Sequence, residues 1–120
     1  MTPALIVLGR FLLGANFAYW GISNVRNIGN LDPMIAGKGV PQPWYALRLA
    51  LAVEVIGGVL LALSIWPALA ALSLIAFTIV VTPFFHAPWT VTGDQRKAEI
   101  GNVVTNGCVV GGLLLAVATG

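Results

Sequence analysis

Four long apolar runs separated by shorter polar stretches set the pattern of this chain, covering about residues 3–22, 44–66, 67–86 and 100–119. An α-helix needs roughly 20 apolar residues, each rising about 1.5 Å, to cross a bilayer. The pattern therefore predicts four transmembrane helices. In the first run Arg10, Gly14, Phe17, Gly21 and Asn24 recur at offsets of 4, 7, 11 and 14, which places them on one helical face. Leu5, Leu8 and Leu12 fall on the opposite side, suited to lipid or to packing.

Between the first two runs, Asn30 offers a helix cap, Pro33 a first-turn proline and Gly37 a stop. These predict a short interfacial helix between helices 1 and 2, followed by a stiff lead through Pro41 and Pro43. Trp44, Tyr45, Trp66 and Trp89 are candidates for an interfacial aromatic belt. Pro67 follows Trp66 with almost no loop, so helices 2 and 3 should be antiparallel neighbours. On helix 3, Thr78, Thr82 and His86 recur every fourth residue, and Pro83 is expected to kink or end the helix. The stretch 87–99 is the most polar and reads as a connector. Asn102 and Asn106 stand one turn apart early in helix 4. The glycines Gly14, Gly21, Gly57, Gly58, Gly107 and Gly111 read as packing notches. The expected fold is all-α and integral to the membrane, a single domain with an up-down antiparallel bundle.

Composition supports the membrane class: 58% of the 120 residues are hydrophobic and only 8% charged. Mean hydropathy is +0.93. Six basic residues spread over several loops form no nucleic-acid patch. The lone Cys108 excludes an internal disulfide and a C-x-x-C pair. The first run has no basic stretch before it and no clear cleavage site after it, so it reads as a retained span. The Lys and Arg bias of the connectors expects them in the cytoplasm and both termini outside.

A carboxylate inside a span is costly and marks a candidate site. Glu54 is that group, and counting rise from the connector side puts Arg10 within about 6 Å of its depth. A buried Arg10–Glu54 ion pair is expected, either fixing helix register or contacting a bound head group or proton. The open alternative has Arg10 reaching outward and Glu54 protonated. Nearer the connectors, Asn24, Thr82, His86, Asn102 and Asn106 could line a polar vestibule. One His and one buried Glu are too few ligands for a metal site, so none is expected.

The segment LGRFLLG at 8–14 with Phe17 and Gly21, GVPQP at 39–43, and Glu54 with Gly57, Gly58 and Leu61 together resemble the DoxX family. Phe77-Thr78, Phe85-His86 with Trp89, and Asn106 ahead of GGLLL at 111–115 continue the resemblance to the end of the chain. Where the family commonly carries lysine, this chain has Asn24 and Thr105. The resemblance implies a four-helix membrane protein of bacterial type, located in the inner membrane. Members are linked to redox systems, including thiosulfate:quinone oxidoreductase subunits and a complex with superoxide dismutase. That implies an accessory or scaffolding subunit of a larger complex. It would have no intrinsic cofactor and would bind quinone or lipid at a helix interface. The alternatives are a self-contained membrane enzyme or small-molecule carrier using Glu54 and Arg10, and a homo-oligomeric packing protein.

Overall fold

A computed structural model of the chain describes residues 2–85 and 91–120. The described residues form five helices and no strand: α1 (Thr2–Arg26), α2 (Ile28–Ala36), α3 (Pro43–Ala62), α4 (Pro67–Phe85) and α5 (Gly93–Thr119). All but α2 are long and apolar enough to cross a membrane. The longest dimension, 46 Å, exceeds a hydrocarbon core of about 30 Å. Large apolar side chains cover the outside, among them Leu49, Leu69 and Leu115, as lipid as solvent allows.

Glycine governs how α1 meets α3. A Cβ on Gly14 would land on the backbone of Ala62 and Gly58. One on Gly58 would meet Ala18 N and Gly14 O, both at 2.7 Å. Lower down, Gly21 lies against Val55 and Glu54. Numbers rise along α1 as they fall along α3, so this pair runs in opposite directions with backbones nearly touching. The next seam is looser: Gly57 faces the Leu74 side chain, where a Cβ would sit at 3.2 Å. Leu61, Ala70, Ala71, Leu74, Leu113 and Ala116 form the buried core between α3, α4 and α5. Phe17 of α1 closes on Phe77 of α4 edge to face, with centroids 6.2 Å apart.

Several boundaries differ from the sequence expectation. α3 stops at Ala62 rather than at 66, because Ser64 and Trp66 take left-handed φ values of 55° and 45° and reverse the chain. α5 begins at Gly93, well before residue 100, so part of the expected connector is helical. Asp94 in its first turn suits the positive end of the helix dipole, and the following residues favour helix. α2 begins at Ile28, which puts Asn30 and Pro33 inside the helix; only Gly37 keeps its expected role as the stop.

Asn27 alone separates α1 from α2, and the short helix lays Ile28, Leu31 and Ile35 on Leu47 and Leu51 of α3. A two-pronged ion pair secures it: Arg48 Nη1 donates to Asp32 Oδ1 at 2.9 Å and Nη2 to Oδ2 at 3.1 Å. The same guanidinium stacks 3.9 Å above the Trp44 ring. Its hydrogen bonds hold the Asp32 carboxyl below the usual carboxylate range. A lowered folded-state pKa contributes stability above the unfolded value and loses it as pH falls through the folded value. The protection factors of the α2 amides, exchange rates corrected for the intrinsic pH dependence, should therefore hold steady from neutral pH down and fall only below about pH 4. Asp32→Asn should exchange fast at neutral pH and lose that step.

Candidate polar site between the helices

Glu54 is the only buried carboxylate among the described residues, 6% exposed, and it lies on the α1–α3 seam, one to two turns from its tightest point. Gly21 makes room for it: a Cβ there would come within 3.1 Å of Glu54 Cγ and 3.3 Å of Oε1. Asn24, one turn along α1, donates its Nδ2 hydrogen to Glu54 Oε1 at 3.3 Å. That amide is half-buried, and it is the hydrogen-bond donor the structure gives this carboxyl group.

The other polar groups collect at the same height. From the Gly57–Leu74 contact, Glu54 is nearly one turn along α3 and Thr78 one turn along α4, both toward the connectors. Thr78 is likewise 6% exposed and donates to the Leu74 carbonyl at 2.8 Å. Thr82 donates to the Thr78 carbonyl at 2.6 Å and accepts from Asn106 Nδ2 at 3.0 Å. A groove of about 240 Å³ opens beside this pair, lined by Thr78, Thr82, Val103 and Asn106 among others. Asn24 with Glu54 on α1 and α3, and Thr78, Thr82 and Asn106 on α4 and α5, thus fall as two separate groups within one polar layer about 8 Å deep. It offers donors and acceptors for a carbonyl or hydroxyl head.

Arg10 is not in that layer. Its Nη2 donates to the Thr119 carbonyl at 2.6 Å, at the far end of α5. α5 has no basic residue of its own in its last turn, so an arginine from α1 meets the negative end of its dipole. The expected Arg10–Glu54 ion pair is not made. With Gly21 at the level of Glu54, Arg10 lies eleven residues farther along α1, about 16 Å away. Counting rise from Asn24 and from Trp44 had assumed that the two helices start level. Instead α3 begins roughly 9 Å beyond the end of α1, and α2 covers the difference.

Of the remaining expected site residues, Asn102 is exposed on α5, one turn from Asn106. His86 and Trp89 lie outside the described residues. Trp44, Tyr45 and Trp66 are exposed, at the start of α3 and just beyond its end. Gly107 and Gly111 face open space: a Cβ on either would meet nothing within 4 Å, because α5 packs through its other face. Gly112, beside Leu13, takes that place. The Asp32–Arg48 pair escaped the sequence reading; Trp44 and Arg48 at i, i+4 were the local hint, and Asp32 gave none. Among the described residues no group of three or more His, Cys, Asp or Glu comes together, and Cys108 is exposed.

The chain resembles inner membrane protein YphA of Escherichia coli (strain K12), at 25% identity over 118 residues, 98% of this chain and 84% of the relative. No solved structure matches it. The DoxX family model matches residues 5–87, which takes in α1 to α4, the glycine seam and Glu54. With most of its length under that match and four helices able to span a bilayer, the chain is an integral membrane protein of the DoxX family.

Proposed function

We propose that this protein is an accessory or scaffolding subunit of a larger, redox-linked complex in a bacterial inner membrane. Its polar layer would hold the head of a lipid-like molecule of the quinone class. The observation that carries this reading is Glu54, buried against Gly21 with one amide donor, at the height of the Thr78–Thr82–Asn106 chain. A buried carboxyl group in a span is costly unless it serves a ligand or proton, and its neighbours here are hydrogen-bonding groups of matching depth. The wide apolar exterior supplies surface for partner helices as well as lipid. The name of the Escherichia coli relative supports the inner membrane. In the proposed up-down arrangement the connectors bearing Lys38 and flanked by Arg26, Arg96 and Lys97 face the cytoplasm. In that arrangement α2 lies near the cytoplasmic surface.

Native mass spectrometry of gently solubilised membranes, with solvent extraction of the purified complex, tests this. The expected result is a stoichiometric larger partner and a co-purifying quinone. Glu54→Gln keeps the shape and the Asn24 hydrogen bond, so it should keep the partner and lose the quinone. An isolated chain with its own activity, or a quinone retained undiminished by Glu54→Gln, would count against the proposal.

A further inference from the structure

The outward face of α1 has a seven-residue repeat. Gly9, Asn16 and Ser23 are spaced by seven, and so are Leu5, Leu12 and Tyr19, four residues before each of them. These are the a and d positions of a heptad, the spacing by which two helices pair with a left-handed crossing. None of these six side chains is used within the bundle. Leu5, Leu12 and Tyr19 are 58%, 53% and 66% exposed, and a Cβ on Gly9 would meet nothing within 4 Å. Asn16 and Ser23 are exposed as well.

Asn16 makes this more than an apolar face. It lies six residues from Arg10 and eight from Asn24, so about 9 Å and 12 Å from the polar groups at either end of the bundle. At that depth hydrocarbon surrounds it, and no water is available to its amide. One Nδ2 hydrogen is satisfied by the Leu12 carbonyl at 2.8 Å. The second hydrogen and Oδ1 have no partner among the described residues, and an acyl chain offers neither donor nor acceptor.

We propose that a second copy of this chain docks on this face, the two Asn16 amides pairing across a twofold axis. An amide is donor and acceptor at once, so an identical amide at the same depth satisfies both groups together. The six positions carry no charge. Arg26, the next d position, is the last residue of α1, where its long side chain can turn aside to water, so two copies meet along the apolar stretch without repulsion. A lone asparagine at an a position among apolar neighbours sets register and pairing in helix dimers, and Gly9 lets the backbones close. The open Gly107–Gly111 face of α5 has no comparable polar group to satisfy.

The full chain reconstituted in phospholipid vesicles gives the test, in a Cys108→Ser background with single cysteines oxidised by copper phenanthroline. Leu12→Cys should cross-link to a dimer, whereas Leu72→Cys, on the exposed face of α4, should not. Adding Asn16→Leu should lower the Leu12→Cys dimer yield about tenfold, and Asn16→Gln should keep it. Circular dichroism of the Asn16→Leu protein checks that the fold is retained, as a lipid-facing change should allow. Failure of Leu12→Cys to cross-link, indifference of its yield to Asn16→Leu, or equal cross-linking at Gly111→Cys would each overturn the proposal.

Discussion

Gly14→Val is expected to lower the unfolding free energy by about 3 kcal/mol or more, measured by titrating SDS into mixed micelles. The reason is what the new side chain meets. A Cβ on Gly14 falls on the Ala62 and Gly58 backbone, and Gly58 is equally blocked by Gly14 and Ala18. Backbone cannot move into another rotamer, so α1 would have to lift away from α3 along its length. That lift would take Gly21 from Glu54 and Phe17 from Phe77 as well. Gly107→Ala and Gly111→Ala supply the contrast, because their positions are open. Alanine in a helix interior is favoured over glycine by about 1 kcal/mol, so these should be neutral or mildly stabilising. A Gly14→Val protein as stable as the parent would mean that the two backbones are not in contact.

The second large effect is expected at Asn24. Asn24→Leu removes the amide that Glu54 hydrogen-bonds, leaving a buried carboxyl group without its donor at a cost of about 2–3 kcal/mol. Adding Glu54→Leu should return much of that stability, because removing both partners of a buried pair leaves nothing unsatisfied. A double-mutant cycle in the same micelles should therefore show coupling of at least about 1 kcal/mol. Additive effects would mean that the 3.3 Å contact contributes nothing. This cycle reads stability alone, so it is separate from the ligand question that Glu54→Gln addresses.

These experiments bear on a protein whose chemistry and packing share the same few positions. The tightest helix contact, Gly14 with Gly58, is one to two turns from the buried carboxyl group, and Gly21 serves packing and site together. A substitution near Glu54 must therefore be read for folding before it is read for function. Arg10 shows the converse: a charge in an apolar run that looks like chemistry here closes the end of α5.

How much of this was legible in the chain can be judged residue by residue. The four apolar runs, the turn at Pro67 and the singular Glu54 were visible because each is local in sequence. So was the polar character of Asn24, Thr82 and Asn106. Their grouping was not. Asn24 was placed with a vestibule apart from Glu54, whereas the fold makes it the partner of Glu54. The Gly-x-x-x-Gly pair at Gly107 and Gly111 was equally visible and faces outward. A pattern of small residues allows close approach without saying what approaches.

By itself the sequence determined membrane residence, helix number, the inward stripe of α1 and the position of an acid in the second apolar run. Hydrophobic periodicity and length are sums over neighbouring residues, so they survive ignorance of the fold. Only the tertiary structure decided the sliding of α1 against α3. That offset depends on which notch receives which backbone, and a shift of a few turns leaves every local pattern unchanged. It separates Arg10 from Glu54, brings Asn24 to the acid instead, and puts α2 beside the end of α3 that projects past α1.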